Sequence, residues 1–245
     1  MRFRHFVVKL LVVLSFGLTR SAWSQLTYTI SVVDKSEPGS PLQITGTASF
    51  TEVINVNSAR LCSSYRVDAR NVSEKGILLV LAYFDQMGPH GNGTREVIQT
   101  DHFFWGQIAP GESLILARRR PEAGMSPCAV TSLAPANELK AEVHVQYVQF
   151  TDGSTFGDET TAKGALRTRS AILEALRQLD NASDSESFLR LLAHKIQPED
   201  ADSFLDIFRR TKKQHGTTIA RSQVHTGVVA AQDHAVALRA VQAER

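Results

Sequence analysis

From Gln25 to about Glu159, apolar and polar residues alternate with a period of two and are interrupted by turn signals, the pattern of an antiparallel β region. The alternation is cleanest where Leu42, Ile44, Gly46, Ala48 and Phe50 share one face and Gln43, Thr45, Thr47, Ser49 and Thr51 the other. Tyr65, Val67 and Ala69 repeat it against Arg66, Asp68 and Arg70. Ile77 to Phe84 is apolar on both sides, as a central strand covered on both faces would be. With further strands expected at Thr27 to Val33, Glu96 to Trp105, Ser113 to Ala117 and Ala141 to Phe150, the total is about seven, the number that builds a two-sheet sandwich. A closed barrel is the alternative architecture.

The turns between these runs have their own chemistry. In Ala109-Pro110-Gly111-Glu112, proline presets φ and glycine supplies a positive φ at the third position. Asp152-Gly153, between β-patterned flanks, predicts a hairpin with a type I′ turn, in which both central residues take positive φ. Pro38 to Pro41 reads as a single loop.

After Glu159 the period changes to that of a helix. Leu166, Ile172, Leu173, Leu176 and Leu179 share one face. Ser183 and Glu186 have the spacing of a capping box and announce a second helix with the stripe Phe188, Leu189, Leu192, Ala193 and Ile196. Pro198 suits the first turn of a third, which carries Ala201, Phe204, Leu205 and Phe208 and stops at Gly216. From Thr217 to Arg245 the stripe of Val224, Val228, Ala231, Ala235 and Leu238 is rich in alanine, and a loosely attached helix and a disordered tail are equally compatible with it. Helices this short need a partner surface to be stable in water.

The N-terminus is of another kind. Arg2, Arg4, His5 and Lys9 precede an apolar run from Leu10 to Leu18, and small residues follow at Ala22 and Ser24, the layout of a secretory signal peptide cut after Ser24. The run is well short of the roughly 20 apolar residues that span a bilayer, and no cysteine stands at the cut to take a lipid. The expected organisation is a signal peptide over 1–24, a β-sandwich over 25–159, amphipathic helices over 160–216 and a helical or disordered tail over 217–245. The mature chain is expected in the periplasm or outside the cell, with no transmembrane segment.

Composition refines this picture at two points. The leader holds Arg2, Arg4, Lys9 and Arg20 and no acid, out of 27 basic and 25 acidic residues in the whole chain, so the mature part is weakly acidic and offers no electrostatic case for nucleic acid. Cys62 and Cys128 are the only cysteines, and in an oxidising compartment one intramolecular disulfide is expected. Closing a loop of that length would stabilise the fold by roughly 3–4 kcal/mol. A lone pair of cysteines cannot make a structural zinc site, and no Cys-x-x-Cys redox motif is present.

Candidate chemistry is sparse. Asp152, Asp158 and Glu159 could offer oxygens to calcium, but they lack the ligand alternation of an EF-hand loop, and a hairpin is the better reading. His90, His102, His144, His194, His215, His225 and His234 form no close metal-binding pair, and His144 falls on the polar face of its strand. Gly-x-Ser-x-Gly and the phosphate-cradling glycine loop are absent. Arg118-Arg119-Arg120 ends a strand, and Arg209, Arg210, Lys212 and Lys213 lie in a last helical turn, where cations complement the dipole. Asn71, Asn92 and Asn181 head glycosylation sequons.

Three segments, Arg70-Asn71-Val72-Ser73, Leu79-Val80-Leu81-Ala82-Tyr83-Phe84-Asp85 and Ala109-Pro110-Gly111-Glu112, resemble the immunoglobulin-like domains of exported bacterial proteins, in particular the FxLYD type. The resemblance spans about a third of the chain and departs from the usual Tyr-Asp pair, which here reads Tyr83-Phe84-Asp85. It implies an immunoglobulin-like sandwich used for binding or scaffolding, and no catalytic residue, cofactor or metal ligand. The expected function is therefore a non-enzymatic interaction or envelope module whose partner is an unidentified protein or envelope component. Two other classes stay open: a hydrolase with a site assembled in space, and a structural subunit that docks through its C-terminal helices.

Overall fold

The computed structural model describes residues 24–55, 58–89, 91, 93–120, 129–131 and 139–237. Among these described residues ten strands precede four helices: β1 (Ser24–Ser31), β2 (Val33–Asp34), β3 (Leu42–Asn55), β4 (Ser58–Asn71), β5 (Ile77–Met87), β6 (Gly93–Asp101), β7 (Ser113–Arg119), β8 (Ala129–Thr131), β9 (Lys140–Phe150), β10 (Thr155–Gly157), then α1 (Glu159–Asp180), α2 (Ser185–Ala193), α3 (Glu199–His215) and α4 (Thr217–Asp233). One sheet has the order β1-β3-β4-β7, with β8 also on β4, and the other β10-β9-β5-β6, with β2 added parallel to β9. The two are separate sheets rather than a closed barrel, and the chain passes between them at Val32, where β1 leaves one sheet and β2 joins the other.

Period-two alternation builds the core between the sheets. Leu42, Ile44, Ala48 and Phe50 of β3 and Tyr65, Val67 and Ala69 of β4 meet Val80, Ala82 and Phe84 of β5 and Val143, Val145 and Val148 of β9. The doubly apolar run expected to be central is central, because β5 lies between β6 and β9 and is buried on both faces. Leu79 and Leu81 turn away from the sandwich to meet Ala162 and Ala165 of α1. Leu78, at a register shift between Ile77 and Leu79, joins Phe103, Phe104 and the helices. The helices form a third layer on the outer face of the second sheet.

Asn71 and the Ala109–Glu112 turn meet at one corner, where the Asn71 N–H donates to the Glu112 carbonyl and the Gly111 N–H to the Asn71 carbonyl. Asn71 is fully buried; its amide donates to the carbonyls of Lys75 (2.8 Å) and Ile108 (3.0 Å), while its side-chain oxygen accepts from Ser73. A burial of this kind removes Asn71 from reach as a glycosylation acceptor in the folded chain. The Pro110-Gly111 turn closes as expected, with Gly111 at φ 77° and the Glu112 N–H on the Ala109 carbonyl at 3.0 Å.

Other local expectations shift for identifiable reasons. The strand expected to reach Trp105 ends at Asp101, whose carboxylate accepts the Phe103 N–H at 3.0 Å and turns the chain, sending Phe103 and Phe104 under the helices. The Asp152-Gly153 hairpin forms, but only Gly153 has positive φ, and Asp152 instead accepts the Ser154 N–H at 2.9 Å. This is the three-residue loop ending in a left-handed glycine, not a type I′ turn. In the second helix Asp184, not Ser183, is the cap, accepting the Ser187 N–H at 2.8 Å, and Ser183 bonds to that carboxylate. Gly216 ends α3 as expected. The alanine-rich stretch is a packed helix: Ala220, Val224, Val228 and Ala231 are buried, and a Cβ on Gly227 would stand 3.4 Å from Leu176. Small side chains let α4 approach α1 closely, which compensates for their small apolar area. Leu238 lies outside the described residues.

One charged side chain interrupts the apolar stripe of α1. Arg169 is 1% exposed, and its guanidinium donates twice to the Asp101 carboxylate, at 3.0 and 2.9 Å. It also donates to the Gln149 side-chain oxygen and lies over the Phe103 ring at 4.5 Å. The Gln149 amide donates in turn to the Ala237 carbonyl at 3.1 Å. Side chains from β6, β9 and the turn after β6 thus converge on one guanidinium of α1.

Removing one partner of a buried ion pair leaves the other desolvated and unpaired. Arg169→Ala is therefore expected to lower unfolding free energy by about 3–5 kcal/mol in urea titrations. A loss below about 1 kcal/mol would mean that the network does not hold the layers together.

Burial, with a hydrogen bond from its hydroxyl to Glu96, pushes the Tyr65 phenol up to about 12. The unfolded chain ionises near its ordinary value of 10.0, so this contribution to stability is complete below pH 10 and is lost as pH rises toward 12. Melting temperature should fall across that window, and Tyr65→Phe should fall less steeply. Parallel curves for the two proteins would contradict the assignment.

Candidate functional site

Beside α1, a cleft of about 360 Å³ opens between the outer face of the β10-β9-β5-β6 sheet and the helices. That volume is within the roughly 300–1,000 Å³ usual for small-ligand sites. Its floor is made by Leu81 and Tyr83 of β5, Val97 and Gln99 of β6 and Gln146 of β9. One wall is the Thr161, Gly164, Ala165 and Thr168 face of α1, and Arg167, Pro198 and Asp200 complete the rim.

The backbone explains why these side chains converge. Leu81 pairs with Tyr147 and Ala82 with Val145, so Gln146 is the extra residue of a β-bulge. Bulges re-aim side chains, and this one lets Tyr147 turn under α1 while Gln146 lines the cleft. Among the described residues, Tyr83, Gln99, Gln146 and Thr168 have no side-chain hydrogen bond, so their capacity is free for a guest. Gly164 lies inside a helix, where glycine is about 1 kcal/mol less favourable than alanine. A Cβ there would meet nothing within 4 Å, so packing does not require the glycine, and its effect is to widen the cleft.

Beyond Tyr83 the same face continues as a charged strip whose members are matched to one another. Arg95 grips Asp85 through two 2.7 Å hydrogen bonds, which holds the Asp85 carboxyl below the usual carboxylate range, and lies over the Tyr83 ring at 5.0 Å. Lys140 pairs with Glu142 at 2.6 Å, and His144 stands 3.8 Å from both Asp85 and Glu142.

The residues singled out in the sequence are dispersed. Asp152 pairs with Lys75 at 2.7 Å, which with the Ser154 hydrogen bonds takes its carboxyl down to about 2, and Asp158 caps α1. His194 caps the end of α2, His225 faces Asp180 at 3.1 Å, and His234 contacts the Phe103 carbonyl at 3.0 Å. Arg209 is structural: it donates to the Leu192 and His194 carbonyls and to Asp202 and Asp206, tying the end of α2 to α3. Arg119 lies over Tyr65. Among the described residues no group of three or more His, Cys, Asp or Glu could hold a metal ion. No helix among them is long and apolar enough to cross a membrane. Cys62 is on β4, whereas Cys128, His90 and Asn92 lie outside the described residues.

A shallower hollow of about 460 Å³ lies between the Phe104–Gln107 loop and α4. Two of its polar groups are already engaged, since His234 contacts the Phe103 carbonyl and the Thr226 hydroxyl donates to the Ser222 carbonyl. The cleft beside α1 is thus the better candidate. Compared with known proteins, the chain matches no family model, no curated protein and no solved structure.

Proposed function

We propose that this chain is an exported, non-catalytic binding protein whose ligand occupies the cleft between α1 and the β9-β5-β6 face. The observation that carries the reading is the set of unspent hydrogen-bonding side chains gathered there: two carboxamides, a phenol and a hydroxyl. Such groups hold a ligand by direction and shape, and carboxamides and aliphatic hydroxyls do not ionise near neutral pH. The titratable rim residues, Arg167 and Asp200, are exposed.

Export and the Cys62–Cys128 disulfide belong to the same proposal. In support, Leu61 pairs with Ala129 across β4 and β8, and these are the residues next to Cys62 and Cys128 in the chain. Neighbours across an antiparallel ladder are about 4.5–5.5 Å apart at Cα, inside the range a disulfide needs. An immunoglobulin-like sandwich is supported by two sheets packed about one apolar core. The β3–β4 hairpin inside one sheet is a departure, since an immunoglobulin domain divides its second and third strands between sheets.

Mass spectrometry of the secreted protein should find Gln25 at the N-terminus and a mass two hydrogens below the reduced chain. An uncut or reduced product would overturn export and disulfide. A ligand-observed NMR screen should find small polar fragments that bind the mature chain and are lost on Gly164→Trp, with the melting temperature retained. Fragments that bind the variant equally well would remove the cleft as the site.

A further inference from the structure

We propose that the ligand of this cleft is a neutral saccharide; the inference rests on the cleft being the binding site and goes further by naming the chemistry it selects. Three observations lead to it.

The first is charge. The floor of the cleft carries no ionisable group except the Tyr83 phenol, and the rim offers one cation, Arg167, and one anion, Asp200. In the neighbouring strip Asp85 is paired with Arg95 and Glu142 with Lys140. An anionic or cationic guest would have to give up its hydration with no unmatched opposite charge on the floor to replace it.

The second is hydrogen bonding. Gln99 and Gln146 each present a donor and an acceptor, and Tyr83 and Thr168 each a hydroxyl that serves as either. A guest that satisfies such a set needs several groups that both give and take a hydrogen bond at close spacing, which is what vicinal sugar hydroxyls do. Val97, 67% exposed, lies on the same floor and offers an apolar contact to the C–H face of a ring.

The third separates a saccharide from a peptide. A peptide is commonly held by main-chain partners on an open sheet edge. Here the cleft lies over the face of the sheet, where Tyr83 pairs with Val97 and Leu81 with Gln99 in the ladder, while the open edge of β6 is on the side of that strand away from β5. Over the face, recognition falls to side chains.

The test uses the mature chain, residues 25–245, with cellobiose, maltotriose and diacetylchitobiose as saccharide probes and trialanine as the peptide probe. Amide resonances of Val97, Gln99, Gln146 and Gly164 should shift saturably with at least one saccharide. Gln99→Leu combined with Gln146→Leu should weaken that binding about tenfold or more, as the loss of two neutral hydrogen bonds implies. Both positions lie at the surface of the sheet, so a retained melting temperature will identify a folded variant. Shifts with trialanine and none with the saccharides would overturn the ligand class and leave the cleft as a binding site. Shifts with neither probe, or saccharide shifts that survive Gly164→Trp, would overturn the cleft reading together with this one.

Discussion

A guanidinium buried to 1% exposure can persist only if its charge is paired, and Arg169 meets that requirement with N–H bonds to Asp101 and Gln149 and a ring face against it. Asp101 ends β6 and supplies the carboxylate, Gln149 supplies an oxygen from β9, and Phe103 supplies a ring face from the turn that Asp101 initiates. Each partner comes from a different element, so α1 has one docking position on the sheet in which the charge is satisfied. Apolar contacts such as Leu79 against Ala162 supply attraction without direction. The guanidinium supplies the direction.

The cleft follows from this docking. The side of α1 that carries Ala162, Ala165 and Arg169 sits on the sheet, whereas on the adjoining side the small residues Thr161 and Gly164 and the bulge at Gln146 leave the two surfaces apart. Space remains where side chains are too small to fill it, and the polar groups lining it then have no partner in the protein. Stability and binding therefore draw on neighbouring faces of one helix.

Much of the framework was legible in the residues. The alternation over Leu42 to Phe50, the doubly apolar Ile77 to Phe84 run and the helical stripe through Ile172, Leu176 and Leu179 identify the strands and the helix, because each pattern records which side is dry. What escaped depends on pairings across long stretches of chain. Arg169 lies on the apolar face of α1, and a charge at that position is the one local sign of its burial, but nothing nearby names Asp101 or Gln149 as its partners. Gln146 lines the cleft because of a register shift against β5, which alternation along β9 alone cannot reveal. Gly164 was the accessible clue, an isolated glycine inside a strong helical pattern. The tail was ambiguous because alanine contributes little apolar area, and its fate was decided by how closely Gly227 allows α4 to approach Leu176.

The last bond of the buried network is made by the carbonyl of Ala237, beyond the end of α4, to Gln149 in β9. Residues from the middle of the chain thus wait for a residue near its far end before their polar groups are all satisfied. A polypeptide interrupted during synthesis, or trimmed by a protease ahead of that point, would carry an incompletely answered amide next to a buried guanidinium. Docking of the segment that follows α4 and full satisfaction of the polar groups around Arg169 are in this respect one event.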